Sequence, residues 1–189
     1  RTIFNLLFFL VVLSAIRTLS NSKLRLRLAL GLGMIGFVGS LTSDSLSSST
    51  SLIVVDCCYC AVFTLLLFSL CESVFGDGDV DLDRIIGAIC LFFVIGLVWT
   101  FLYVLLTIFQ PGSFAIPAAQ TPGVQQEMLG ELMYFSYVTL TTLGYGDVIP
   151  VTQPARTLAT IEAMTGQLYI AIVIAKLVGM HITQSARRD

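Results

Sequence analysis

Charge is what this sequence has least of. Asp, Glu, Lys and Arg together make up 12% of its 189 residues, about half the ~25% of an ordinary soluble domain. So little charge among so many apolar residues excludes a disordered chain. The formal net charge of −2 leaves no basic footprint for nucleic acid. Histidine is almost missing, and the single His181 excludes a paired-His metal site. It stands near the end of the last apolar run, where an imidazole is at home beside helix carbonyls. There is no Gly-x-Ser-x-Gly elbow and no paired polar catalytic set, so an enzyme is not expected.

Apolar residues fill the space: 56% of the chain, with a mean hydropathy of +0.91. The expected class is an all-α integral membrane protein, in contact with lipid and not with nucleic acid. A helix needs ~20 mostly apolar residues to cross ~30 Å of hydrocarbon. Five stretches qualify: Thr2–Leu19, Leu26–Leu41, Ser51–Glu72, Arg84–Phe109 and Pro154–Met180. A sixth, Met128–Thr141, is apolar but too short to cross, and Gly144 and Gly146 follow it closely. Five transmembrane helices plus one re-entrant helix and loop is the expected architecture. The second span is the weakest, being short and interrupted by Gly31, Gly33, Gly36 and Gly39; these glycines suit either a close helix approach or a loosely packed helix.

Lys and Arg favour the cytoplasmic side of a membrane. Arg17, Lys23, Arg25 and Arg27 crowd the first connection and place it inside. Alternation then puts Ser40–Ser51 outside, Ser73–Asp83 inside and Gln110–Glu127 outside. The last helix ends inside, beside Lys176, Arg187 and Arg188, in agreement with the first connection. Arg1, not Met, leads the chain and falls outside, so a leading helix or signal is expected upstream. The first span makes a poor signal peptide, because Arg17 follows the apolar run and no small-x-small site precedes it.

Several polar or reactive residues have ordinary explanations. Cys57, Cys58, Cys60, Cys71 and Cys90 lie within apolar spans without the spacing of a zinc site, and read as small hydrophobes. Asp77, Asp79 and Asp81 mimic the opening of a calcium loop. The Gly and Glu that such a loop needs are replaced by Leu82 and Ala88, so a solvated turn with Asp83 capping the next helix fits better. Asp56 and Glu162 are intramembrane acids, which makes both functional candidates. Asp56 lies about one turn from the outer end of its helix, within reach of water. Glu162 lies about 12 Å inside the last helix and is expected to be buried against protein, tied to Thr139, Thr141 or Ser136.

The informative segment is Thr141-Thr142-Leu143-Gly144-Tyr145-Gly146-Asp147, with a short helix before it and Pro150 and a full span after it. Non-helical backbone at membrane depth persists only where it is buried or lines a water-filled path. Alternating glycines permit positive φ, which turns consecutive carbonyls toward one axis. A ring of such carbonyls can replace the hydration shell of a potassium ion. The negative end of the short helix points the same way and favours a cation. One chain supplies one strand of the lining, so about four copies are required around the axis.

Thr-Leu-Gly-Tyr-Gly-Asp resembles the filter signature of the tetrameric potassium channels, with Leu143 where Val or Ile is usual. The resemblance covers a pore domain at 84–182: outer helix 84–109, pore helix 128–141, filter 142–147 and inner helix 154–180. It implies K+ bound at Thr142, Leu143, Gly144 and Tyr145, by the Thr142 hydroxyl and the carbonyls above it, with Gly146 completing the filter. It also implies an aromatic cuff at Tyr134 and Phe135, a support at Asp147, and an inner-helix hinge at Gly166. Gly166 suits close packing on the pore helix equally well. Arg156…Glu162…Gly166-Gln167…Tyr169 looks like the pattern of bacterial channels with extra N-terminal helices and no cytoplasmic ligand domain.

The N-terminal part, 1–83, would hold three spans. By position the voltage-sensor helix would be Ser51–Glu72, yet it contains no Arg or Lys, so a sensor of that kind is excluded. Residues 183–189 would form a short cytoplasmic tail. The expectation is a homotetrameric potassium-selective channel of the cell membrane, plasma or bacterial inner. Its filter faces the extracellular side, and it needs no cofactor beyond K+ as the permeant ion. A weakly selective cation channel and a non-conducting regulatory subunit are the competing readings. Asp147 is expected to accept a hydrogen bond from Tyr134 and so brace the filter.

Overall fold

The computed structural model describes residues 23–42, 49–76, 82–116 and 124–186. The expected first span, Thr2–Leu19, and the acidic stretch 77–81 lie outside the described residues. The order is α1 (Lys23–Thr42), α2 (Ser49–Phe75), α3 (Leu82–Phe109), β1 (Phe114–Ala115), α4 (Val124–Leu140), β2 (Ile149–Pro150) and α5 (Gln153–Ala186). Among the described residues, three helical stretches are long and apolar enough to cross a membrane: Ile53–Phe75, Leu82–Phe109 and Gln153–Lys176. α1, expected as a span at Leu26–Leu41, is not among them. Lys23, Arg25 and Arg27 fill its first turns and four glycines dilute the rest. At 17 residues α4 is about 26 Å long, short of the hydrocarbon thickness. It begins four residues ahead of the expected Met128 because the polar Gln125, Gln126 and Glu127, outside any apolar window, form its first turn. α5 runs past the expected end at Met180 and takes in residues 183–186 of the expected tail, since no proline interrupts the chain there.

Start signals in the sequence explain the long helices. Asp83 stands in the first turn of α3, where a carboxylate favours the positive helix end. Pro154 stands in the first turn of α5, where its missing N–H costs nothing. α1 and α2 pack closely because Gly36 has no side chain: a Cβ there would lie 2.7 Å from the Tyr59 ring. The Tyr59 hydroxyl donates to the Gly36 carbonyl at 3.3 Å. Tyr59 and Phe63 then meet Phe101 of α3, with ring centroids 5.6 and 5.5 Å away. Arg25 grips Glu72 through two contacts of 2.5 and 2.7 Å, joining the start of α1 to the end of α2. Lys176 of α5 donates to the Phe75 carbonyl at 2.5 Å, where a cation suits the negative end of α2.

The second half of the fold carries the loop of interest. α4 lies between α3 and α5, and a second buried cluster gathers Tyr103, Phe114, Leu132, Phe135, Val148 and Ala155. β1 and β2 pair antiparallel, Phe114 with Pro150 and Ala115 with Ile149. This two-residue ladder joins the exit of α3 to the exit of the 141–147 loop. Val151 N–H donates to the Ser113 carbonyl at 2.8 Å and extends the tie to the start of α5.

Candidate ion-binding loop and its supports

The backbone of the loop alternates in hand. Thr142, Gly144 and Gly146 have φ of 58°, 60° and 77°. Positive φ is easy for glycine and strained for a β-branched residue, so Thr142 is the unusual member. Local bonds hold the base of the loop: Thr142 N–H donates to Thr139 O at 2.9 Å and Leu143 N–H to Val138 O at 2.9 Å. Every residue from Thr141 to Asp147 is exposed in the single chain, including the apolar Leu143 and the ring of Tyr145. The loop is therefore uncovered in the single chain and presents two large apolar groups to an open side.

The far end of the loop is held by side chains. The Tyr134 hydroxyl donates to Asp147 Oδ2 at 2.7 Å, a short, charge-assisted contact. Val148 N–H donates to the other carboxylate oxygen at 3.0 Å. The bond from Tyr134 holds the Asp147 carboxyl below its ordinary value, and the same bond pushes the Tyr134 hydroxyl up to about 12. Phe135, the other residue expected in the cuff, packs elsewhere. It is buried with Tyr103 and Phe114, its ring centroid 5.2 and 5.1 Å from theirs.

Behind the loop Glu162 of α5 is fully buried. Ser136 Oγ lies 2.5 Å from its Oε1, and the Tyr103 hydroxyl donates to its Oε2 at 2.5 Å. Of the three donors expected for it, the structure brings Ser136. Thr141 turns to the Tyr137 carbonyl at 2.6 Å, and Tyr103 of α3 takes the remaining carboxyl oxygen. Ser136 Oγ also lies 2.8 Å from the Gly96 carbonyl. A hydroxyl has one proton to donate, so a proton on the Glu162 carboxyl completes the chain Glu162 to Ser136 to Gly96. One side chain thus ties α3, α4 and α5 together.

Gly166 lies one turn further along α5, against the end of α4. A Cβ there would overlap the Leu140 carbonyl oxygen, so the backbones touch. α5 is one continuous helix through this point, and packing is the role the geometry displays. Tyr169, on the same face, donates to the Ala88 carbonyl. On the other side of α4 the Tyr137 ring packs over Gly96, and its hydroxyl donates to the Phe93 carbonyl at 2.9 Å. Sequence reasoning did not assign roles to Tyr103, Gly96 or Gln167, whose side-chain amide donates to Thr142 Oγ1 at 3.2 Å. All five cysteines are free thiols. Among the described residues no cluster of His, Cys, Asp and Glu could hold a metal ion.

Residues 89–182 match the family model for ion channels. The matched stretch takes in most of α3, the 141–147 loop and α5 up to Ile182. The chain is also 30% identical, over 59 residues, to the Two-pore potassium channel 4 of Arabidopsis thaliana. That stretch is 31% of this chain and 21% of the relative, so the chain spans about a fifth of the relative it matches. No solved structure matches. Both similarities are to ion channels, and the second is to a potassium channel.

Proposed function

We propose that this protein is a potassium-selective channel in which four copies surround one axis and pass K+ passively down its gradient. The observation that carries the reading is the alternating backbone of Thr142, Gly144 and Gly146 within Thr-Leu-Gly-Tyr-Gly-Asp. Alternating hand lets successive carbonyls face one side, and a ring of four such strands supplies oxygens at a spacing that replaces the hydration shell of K+. K+ sites lie at Thr142, Leu143, Gly144 and Tyr145, and α4 aims its negative end at them. Exposure supports the assembly: the membrane stretch of α5 is only 11% buried in the single chain, against 39% and 44% for the other two spans. Lipid and neighbouring copies cover the remainder.

In this reading the protein sits in the cell membrane with its filter toward the outside and the end of α5 in the cytoplasm. The division is an N-terminal helical part up to residue 83 and a pore domain at 84–182. The test is flux from purified protein in liposomes. K+ efflux blocked by Ba2+, with Na+ flux much smaller, is the expected result. Equal K+ and Na+ flux marks a weakly selective channel, and no flux from well-formed tetramers marks a subunit that needs another chain.

A further inference from the structure

The base of the loop holds a contact that the filter signature does not include. Thr142 is a β-branched residue at φ 58°, a strained conformation that persists only where its surroundings enforce it. Three bonds enforce it here. Its N–H donates to Thr139 O at 2.9 Å. Its Oγ1 donates to the Thr141 carbonyl at 2.6 Å and accepts from Gln167 Nε2 at 3.2 Å. The first two are local, and the third comes from α5. Gln167 reaches Thr142 because Gly166, its neighbour in sequence, seats α5 directly on the Leu140 carbonyl.

Counting protons fixes the rest. A threonine hydroxyl has one proton and two lone pairs. The proton is spent on Thr141 O, so Gln167 must present its NH2 group and not its carbonyl, which settles an amide orientation that is otherwise ambiguous. One lone pair accepts from that NH2, which leaves one for a further donor or cation at this exposed residue. Gln167 is itself exposed. The bond to Thr141 O therefore leaves the hydroxyl oxygen only acceptor capacity toward a cation, and the amide donor fixes where that oxygen sits.

We infer that Gln167 is a specificity-determining residue at the α5 end of the filter, orienting the Thr142 hydroxyl as a ligand for a large, weakly hydrated cation of K+ size. The inference rests on the channel reading and extends it to a residue outside the signature. Without the amide the hydroxyl keeps its bond to Thr141 O but loses the contact from α5 that fixes the position of its oxygen.

The experiment uses Ba2+, a divalent ion of nearly K+ size, titrated calorimetrically into the purified full-length protein in K+-free buffer. Gln167→Leu weakens Ba2+ binding about tenfold, the scale of one lost hydrogen bond, while the oligomer stays intact by size. Gln167→Met, a close isostere without the donor, does the same and serves if the leucine variant does not assemble. Thr142→Val removes the acceptor, and in that background Gln167→Leu has no further effect. Ba2+ affinity unchanged in the Gln167 variants, the same tenfold loss with and without the Thr142 hydroxyl, or no Ba2+ binding by the unaltered protein overturns the inference. K+ flux from the unaltered protein is scored separately. A protein that binds Ba2+ through this pair but passes no K+ contradicts the channel reading and leaves the pair standing.

Discussion

Two side-chain contacts, one at each end of the loop's support, divide the work of holding it. At the exposed end the Tyr134–Asp147 bond is a brace of 2.7 Å. Tyr134→Phe removes the donor and keeps the ring, so assembly is expected to survive while open times shorten or selectivity weakens in single-channel records. Records indistinguishable from the unaltered protein would remove the brace from the mechanism. The pH range of the brace follows from its two groups. Asp147 titrates below its ordinary value, so its contribution is present above the usual carboxylate pKa of about 4 and is lost as pH falls through its lowered value. Tyr134 is raised to about 12, so its contribution is complete below about 10 and is lost as pH rises through 12. Acidifying the outer solution from pH 7.5 to 5 should therefore leave the difference between the unaltered protein and Tyr134→Phe unchanged. A difference that vanishes by pH 5 contradicts this assignment. At the buried end Glu162 accepts from Tyr103 and exchanges a bond with Ser136. Glu162→Gln is expected to keep conduction, because its amide donates to Ser136, accepts from Tyr103 and leaves Ser136 free to donate to Gly96. Glu162→Ala strands the Tyr103 hydroxyl and leaves Ser136 bonded to Gly96 alone, and is expected to destabilise the proposed oligomer, measurable as a lower dissociation temperature in detergent. Tyr103→Phe removes one donor and should cost ~1–3 kcal/mol, the scale of one unmet buried group. Equal melting of the glutamine and alanine variants would show that the carboxyl is not a tie.

At the level of helices, α4 is held from two sides by glycines. Gly166 of α5 touches the Leu140 carbonyl and Gly96 of α3 lies under the Tyr137 ring. The two contacts differ in how much they can yield. A backbone carbonyl at the end of α4 cannot swing away, whereas a tyrosine ring can rotate. Gly166→Ala should therefore destabilise the oligomer by more than Gly96→Ala, with overpacking typically costing ~1–3 kcal/mol. Gly166→Ala should also weaken Ba2+ binding, because it pushes Gln167 away from Thr142. The reverse order of stability would mean that α4 is located by α3 and not by α5. These elements were largely legible beforehand, because long apolar runs and the short run ending at the glycines set their positions: 84–109 against Leu82–Phe109, and 154–180 against Gln153–Ala186. Polar helix ends lay outside every apolar window, which is why the start of α4 and the end of α5 were not. The contacts between elements were the least legible. Tyr103 and Glu162 are 59 positions apart, and an aromatic residue in an apolar helix gives no sign that its hydroxyl is committed. Gln167 and Thr142 are 25 apart, on segments whose approach depends on Gly166. Ser136 could be named because it is one of few hydroxyls on the short helix.

For the whole molecule, a single chain presents an incomplete object. Its loop of backbone oxygens is uncovered, and the helix beside it is the least buried of the spans. In the proposed reading copies close around an axis and cover both surfaces, with the Tyr103–Glu162–Ser136 tie and the Tyr134–Asp147 brace holding the loop from within each chain. The helices before residue 82 join this half through α2: Phe101 packs on Tyr59 and Phe63, and Lys176 closes on the Phe75 carbonyl. The central claim is that the Thr142–Tyr145 oxygens choose K+ over Na+. The reversal potential of purified protein in a planar bilayer, with K+ on one side and Na+ on the other, tests it most directly. Selection by the filter predicts a potential displaced from zero by about 59 mV for each tenfold in permeability ratio, and collapsing toward zero when Gly144→Ala opposes the left-handed backbone. A potential near zero in the unaltered protein would contradict it.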